Sequence, residues 1–464
     1  MDYSILVNKY NKIKSNYIDR INLIKTKDVE GIDVFVEEKT YNAYLDIKDF
    51  LFDKNIEIGI SSAYRSIDEQ INIYNDFINR YGKDYADKYV AIPEYSEHHT
   101  GLAIDINIKI DDKYPSNNNE LMAQKKYYED IHKYLKDFGF ILRYPEGKED
   151  ITGYPYEPWH YRYVGKFIAN IISENNMCLE EYKSSFSGIL IVNKEKGCTS
   201  FDIVNRISKL FGIKKIGHTG TLDPLAEGVL IVCIGQATKV VELLTAEDKE
   251  YIAKVKLGLK TDTYDIEGKV IEEKIVEDVN FEEIVNSYKK TYMQEVPIYS
   301  AVKVNGKKLY DYARENKKVK LPKKEVTIKE IEILDKFNDS FVFRTLVTKG
   351  CYIRSLINDI GNDLGCGAIM TSLIRTKQGN ISIDKSYTIS DIENGNYKMY
   401  KIEDLLDYPK IIVDSEEEFK IKNGMKIFNK WKIKDKVMFF NKHNKLLGIY
   451  EVDNQKLRVW KNFN

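Results

Sequence analysis

Cysteine is scarce: five in 464 residues, all from Cys178 onward, odd in number and with no CxxC pair. That excludes a disulfide-stapled scaffold and cysteine-rich metal modules, and implies unpaired thiols in a reducing compartment. Proline is also sparse, at nine, and there is no low-complexity tract or internal repeat. No apolar run is long enough to span a bilayer. The first residues, MDYSILVNKYNKIK, lack an apolar run after a basic start, so they do not read as a signal peptide. The expectation is a cytoplasmic protein with no membrane partner. Bulk basicity is lacking too, with a net charge of −1.

The composition that remains is globular: 43% hydrophobic, 31% charged and 12% aromatic, with 34 tyrosines. The length exceeds one ordinary core and implies two to four domains. Local charge is less even than the total. Lys194, Lys196, Lys214, Lys215, Lys303, Lys307 and Lys308 crowd short stretches, and phosphate binding needs patches of that kind rather than a basic pI.

Periodicity predicts a helix over 37–54, a strand at Ile56–Ser61, a helix at about 66–81 and a strand at Ala103–Ile108. A helix over about 121–138 follows, then strands near Phe140–Tyr144 and Trp159–Tyr163, and a helix from Val164. Helices and strands mixed without a βαβ rhythm predict an α+β domain over 1–172. The segment 173–187 loses periodicity and gathers Ser, Asn and Glu, the composition of a linker. A strand at Gly188–Asn193 opens a second domain of mixed strands and helices over 188–399. Short strands and turns over 400–464 predict a small β domain.

Three of the six histidines lie in two short segments, Ser96-Glu97-His98-His99-Thr100-Gly101-Leu102-Ala103-Ile104-Asp105 and Glu157-Pro158-Trp159-His160. Two imidazoles and a carboxylate make a three-ligand zinc set with a fourth position for water. A carboxylate beside it, such as Glu157, can take that water's proton. Regular strand geometry would put 157 and 160 on opposite faces, so Pro158 must bend the backbone. Spacing favours His98 as the ligand, with His99 beside it as a competitor. The SxHxxGxAxD string followed by ExWH, with Ser61-Ala63-Tyr64-Arg65-Ser66 and Gln70, resembles the zinc D,D-carboxypeptidases of VanY type. The resemblance implies zinc on His98, Asp105 and His160, Glu157 as base, and Arg65 gripping the substrate carboxylate by a bidentate contact. It also implies a D-alanyl peptide or peptidoglycan precursor as substrate.

The segment Gly217-His218-Thr219-Gly220-Thr221-Leu222-Asp223-Pro224-Leu225-Ala226-Glu227-Gly228 admits a bland reading, with Asp223 a helix N-cap and Pro224 the first helical residue. No GK[ST] follows, which argues against a phosphate loop. Further on stand Lys249-Glu250-Tyr251, the run from Thr261 to Gly268, Pro297-Ile298-Tyr299-Ser300-Ala301, Gly350-Cys351-Tyr352-Ile353-Arg354-Ser355-Leu356 and Leu373-Ile374-Arg375-Thr376. In this order they resemble the bacterial TruB family, the synthases of pseudouridine at position 55 of tRNA. The resemblance implies Asp223 as nucleophile, Arg354 as the guanidinium that keeps it charged, and Tyr251 stacking on the uracil and moving a proton. The target base must be flipped out of the T-loop. His218 is implied to take its place, Tyr352 and Leu373 to line the pocket, and Lys194 and Arg375 to contact phosphates. No cofactor is implied for this half, and whether the intermediate is an acylal or a glycal stays open.

The expected whole is a zinc D-Ala-D-Ala carboxypeptidase-like α+β domain fused to a pseudouridine synthase of mixed sheet with a small C-terminal PUA-like β domain, acting on the tRNA T-arm. The alternative is a cell-wall D-alanyl peptidase whose C-terminal half only binds RNA.

Overall fold

The computed structural model describes residues 2–276 and 280–463. The chain divides into two compact units, Met1–Phe186 with Ile207–Lys214, and Ser187–Arg206 with Lys215–Asn464.

The first unit is built on a four-stranded antiparallel sheet of β1 (Ile58–Ser62), β2 (Ala103–Ile108), β3 (Phe140–Leu142) and β4 (His160–Tyr163), in the order β1–β2–β4–β3. Helix α1 (Glu38–Phe52) starts where the Glu37 carboxylate accepts the Thr40 backbone N–H, the usual way of satisfying an orphan donor. Its Ala43, Tyr44, Ile47 and Leu51 recur at helical spacing and are buried. They pack on Ile58, Ile60, Ile104 and Ile106 of the sheet, each large side chain contributing roughly 1.5–3 kcal/mol by leaving water. Helix α2 (Ile67–Tyr81) opens on a reciprocal capping box between Ser66 and Glu69. Both helices and all four strands fall close to the spans expected from periodicity.

Two expectations need correction. The helix expected over 121–138 is broken into Asn118–Ala123, Lys125–His132 and a 3-10 turn at Leu135–Phe138. Burial of Leu121, Tyr128, Ile131 and Leu135 in one core sets those breaks, not local propensity. The expected linker 173–187 contains helix α3 (Leu179–Ser185), which buries Leu179, Glu180 and Tyr182. Its polar look came from a glutamate that is paired inside the protein.

The second unit is organised by a nine-stranded sheet. Its main path uses β5 (Gly188–Lys194), β6 (Ala226–Ile234), β7 (Lys249–Leu257), β8 (Thr291–Glu295), β9 (Lys323–Lys336), β10 (Ser340–Val347) and β11 (Ala368–Gln378), in the order β8–β9–β10–β7–β11–β6–β5. On this path only β6 and β11 run parallel, with Leu373 opposite Ala226 and Arg375 opposite Gly228. Gly228 has φ +100°, and a Cβ there would run into the Arg375 backbone, so glycine is required. Helix α4 (Ile353–Asp363) packs against β11 and buries Ile353, Leu356, Ile357 and Ile360. The C-terminal β domain is a five-stranded sheet built from Lys410–Ile412, Ile427–Phe428, Lys436–Phe440, Leu446–Asp453 and Lys456–Asn462. Met438, Phe440 and Ile449 from it share a core with Ile189, Val229 and Ile231 of the large sheet. Among the described residues no helix is long and apolar enough to cross a membrane, and all five cysteines are free.

Candidate active sites of the two units

In the first unit the register of β2 against β4 sets Asp105 directly across from His160. Cross-strand neighbours on one face lie only about 4.5–5.5 Å apart at Cβ, so two of the expected ligands meet by sheet geometry alone. The third, His98, comes from the buried 3-10 turn Glu97–Thr100 just before β2. One donor atom from each of His98, Asp105 and His160 falls within 4.8 Å of the others. The Glu157-Pro158-Trp159 segment is a turn ahead of β4, with the His160 N–H donating to the Glu157 carbonyl at 3.3 Å. The expected bend is therefore present, and the Glu157 carboxylate lies 3.7 Å from His160 Nδ1.

His99 is engaged elsewhere. Its Nδ1 lies 2.7 Å from the Arg65 carbonyl, and its Nε2 accepts the Glu94 N–H at 3.2 Å. His98 instead uses Nδ1 on the Ala63 carbonyl at 2.6 Å, which leaves Nε2 turned toward Asp105. Arg65 is held by Ser62 Oγ at 2.7 Å and stands 3.4 Å from Asp105. Arg65, His98, Asp105, Glu157 and His160 share with Tyr154 and Trp159 a cavity of about 250 Å³, which His99 does not line.

The electrostatics suit a cation. Asp105 Oδ1 lies 3.0 Å from His160 Nδ1 but out of line for a hydrogen bond, and stays buried without a partner. Burial disfavours the His160 imidazolium, yet the Asp105 carboxylate overrides it and raises the pKa to about 9. Burial and the Arg65 charge lower His98 to about 3. Burial pushes Glu157 up to about 7, near where a general base works best. A buried carboxylate with an unpartnered oxygen, facing two imidazole nitrogens, is the donor chemistry of a zinc site.

In the second unit Asp223 lies on the turn that leads into β6. A strand, not a helix, follows Pro224, so the N-cap alternative is excluded. Ser200 fixes this turn: its hydroxyl accepts the Leu222 N–H at 2.9 Å and donates to the Leu222 carbonyl at 3.2 Å. Arg354, at the start of α4, reaches Asp223 Oδ2 with Nε at 2.9 Å. It donates to the carbonyls of Thr263 at 3.1 Å and Tyr299 at 3.0 Å, and its Nη1 stands 3.5 Å from the buried Asp265. Tyr251 on β7 is buried, and burial raises its hydroxyl above the usual pKa against the opposing Arg375 charge. Asp223, Tyr251, Tyr352, Arg354, Leu373 and Arg375 line one cavity of about 360 Å³, within the ordinary size range of small-ligand sites.

Two expected phosphate contacts are placed differently. The Lys194 ammonium is buried and donates to the carbonyls of Ala226 at 2.6 Å and Glu195 at 2.9 Å. Arg375 is buried as well, with Nε donating to Val229 O at 2.6 Å and Nη2 to Gly220 O at 3.1 Å. Both charges are spent on backbone carbonyls in and beside the 220–229 segment and so help to shape it. His218 is half-buried outside the cavity lining, on the short strand Ile216–His218, and burial lowers its pKa. Lys324 and Lys349 do line the cavity and are exposed. Lys324 stands in a polar stretch away from the motifs, and Lys349 directly precedes the Gly350–Leu356 run without having been singled out. Asp265 lay within a recognisable string, but nothing local ties it to Arg354, 89 positions on.

The fold and these two cavities define a pseudouridine synthase preceded by a carboxypeptidase-like domain. Residues 208–353 match the family described as TruB family pseudouridylate synthase (N terminal domain), and 354–417 match the tRNA pseudouridylate synthase B C-terminal domain. Residues 33–166 match VanY, D-alanyl-D-alanine carboxypeptidase. The tRNA pseudouridine synthase B of Clostridium tetani is 44% identical over 274 residues, 58% of this chain and 93% of that protein. That of Fusobacterium nucleatum is 44% identical over 279 residues, covering 58% and 97%. A solved VanY D,D-pentapeptidase of vancomycin resistance, in complex with Zn(II), is 31% identical, with 39% of this chain and 99% of that one covered and a TM-score of 0.33. The chain belongs to the tRNA pseudouridine synthase B family and has a VanY domain ahead of the synthase.

Proposed function

We propose that the second unit isomerises a uridine in the T-loop of tRNA to pseudouridine with Asp223 as nucleophile, and that the first is a zinc-dependent D,D-carboxypeptidase. The observation that carries the first reading is the Asp223–Arg354 ion pair at 2.9 Å, in a cavity it shares with Tyr251. Isomerisation breaks the bond from C1′ to N1 and makes one from C1′ to C5, and the hydrogen on C5 leaves as a proton. The carboxylate acts at the sugar, through an acylal or a glycal. Tyr251 stacks on the uracil and relays the proton, while Tyr352 and Leu373 steady the ring. Unstacking the base costs a few kcal/mol, and His218 fills the gap left in the loop. The exposed Lys324 and Lys349 meet phosphates, while Lys194 and Arg375 hold the loop that bears Asp223. No cofactor takes part. The test is a T-arm transcript with tritium at C5 of the target uridine: wild type releases it and Asp223→Asn does not. Equal release from both removes Asp223 from the role.

In the first unit His98, Asp105 and His160 would hold the ion. Bound zinc supplies electrophilic activation and acidifies water. Glu157 would accept a proton from water at this site, and Arg65 would bind the terminal carboxylate of a D-alanyl peptide or peptidoglycan precursor. Zinc analysis with D-alanine release, before and after Glu157→Ala, tests this. Chelation abolishes D-alanine release and leaves tritium release unchanged. Bound zinc with no release from wild type reduces the unit to a binding module. The readings together place the protein in the cytoplasm, with tRNA.

A further inference from the structure

Glu97, beside His98, turns its carboxylate away from the donor triplet and toward the far side of His160. Its Oε1 is fully buried between two guanidiniums, 2.8 Å from Arg143 Nε and 2.6 Å from Arg162 Nη1. Its Oε2 faces His160 Nε2 at 3.9 Å, and neither atom has a hydrogen-bond partner. With Nδ1 of His160 turned to the donor set, Nε2 is the nitrogen left to carry the ring proton. A carboxylate behind a ligating imidazole fixes its tautomer and orientation and raises its basicity.

Two arginines on one carboxylate would leave an excess positive charge in the interior, which is costly. The balance is restored from helix α3. Glu180 takes Arg143 in a two-pronged pair, Nη1 at 2.9 Å and Nη2 at 2.6 Å, and accepts a further hydrogen bond from Asn8 at 2.9 Å. The four charges Glu97, Glu180, Arg143 and Arg162 then cancel. Glu180 lies beyond the segment 33–166 that matches VanY, in a stretch whose composition reads as linker. The next residue, Glu181, points outward and pairs with Lys148 at 2.9 Å. One turn of α3 thus supplies one carboxylate to the interior and one to the surface.

We propose that Glu180, acting through Arg143 and Glu97, is a positioning residue of the donor set, keeping the Glu97 carboxylate free to orient the His160 ring. The inference rests on the reading of His98, Asp105 and His160 as zinc ligands. Without Glu180, Arg143 draws wholly on Glu97, and one uncompensated positive charge stands behind a site meant for a cation.

The test uses the full chain. Zinc affinity is measured by chelator competition, and the geometry by the visible spectrum of the cobalt(II)-substituted protein. Glu180→Gln lowers zinc affinity about tenfold or more and changes the cobalt spectrum. Glu181→Gln, which loosens the same helix without touching the relay, leaves both at wild-type values. Equal losses in the two variants, or no loss in Glu180→Gln, overturn the proposal, since the helix would then act only as an anchor or not at all. Tritium release reports that each variant's synthase unit is intact, and thermal unfolding of the metal-free protein reports the fold of the first unit. Should Glu180→Gln fail to fold, Glu180→Asp takes its place, withdrawing the charge by one methylene with the same expected direction. A wild-type chain that binds no zinc refutes the underlying site, an outcome distinct from wild-type binding that Glu180→Gln does not change.

Discussion

Arg354 spreads one guanidinium over four neighbours: Asp223 at 2.9 Å, the carbonyls of Tyr299 and Thr263 at 3.0 and 3.1 Å, and Asp265 at 3.5 Å. Replacing it with lysine keeps the charge and removes the fork, because one ammonium cannot serve these directions together. Asp223 loses the close ion pair that orients it, a partly buried charge contact whose disruption we put at about 2 kcal/mol. At about 1.36 kcal/mol per tenfold in rate, a loss near 2 kcal/mol is roughly 30-fold. Added freedom of the nucleophile extends this toward ~100-fold. The assay is single-turnover tritium release with enzyme in excess over a tRNA transcript, so that chemistry rather than binding is read. Filter binding with the same transcript is expected to change little, since Arg354 is buried and offers no charge to the RNA surface. A single-turnover rate within about threefold of wild type for Arg354→Lys refutes the reasoning, because the orientation of Asp223 would then not depend on the fork.

Burial raises the Asp359 carboxyl to about 6, with Asp363 and Glu295 adding to it against Tyr292. A folded pKa above the unfolded one gives stability that is present below about pH 4 and lost as pH rises through about 6. Discounted for partial exposure, Asp359→Asn should stabilise the synthase unit by about 1 kcal/mol at pH 8 and by almost nothing near pH 4, as read by urea unfolding at both values. Gly228→Ala forces a Cβ into the Arg375 backbone at φ +100° and should cost about 2–3 kcal/mol. Lowered Tm and lost tritium release together check it. Lys324→Glu with Lys349→Glu should weaken tRNA binding and flatten its dependence on salt by roughly one unit of slope per lost phosphate contact. An unchanged slope removes both lysines from the RNA surface.

What was legible in the sequence was whatever local chemistry enforces. Glu37 capping α1 and the 3–4 spacing of Ala43, Tyr44, Ile47 and Leu51 mark that helix without tertiary help. The alternation along Ala103–Ile108 marks β2 in the same way. The two histidine segments announced a ligand set, but the choice between His98 and His99 rests on the Ala63 and Arg65 carbonyls, more than 30 positions upstream. Lys194 and Arg375 showed the same limit from the other side. A cation read from sequence looks available to phosphate until carbonyls from a distant turn claim it. Helix α3 was hidden because Glu180 has its partner at Arg143, and single-residue polarity takes a buried ion pair for solvent exposure.

The parallel contact between β6 and β11 joins residues 147 positions apart, Leu373 to Ala226, so the wall holding Leu373 and Arg375 is synthesised long after the turn that bears Asp223. Pairings of such long sequence separation form slowly and late. A chain still on the ribosome, or one cut short before β11, has its acidic turn but lacks the wall of the cleft that carries Leu373 and Arg375. The peptidase strands β1 to β4, all made within the first 163 residues, can close their own sheet while the rest is being translated. The two chemistries on this polypeptide therefore come into being one after the other.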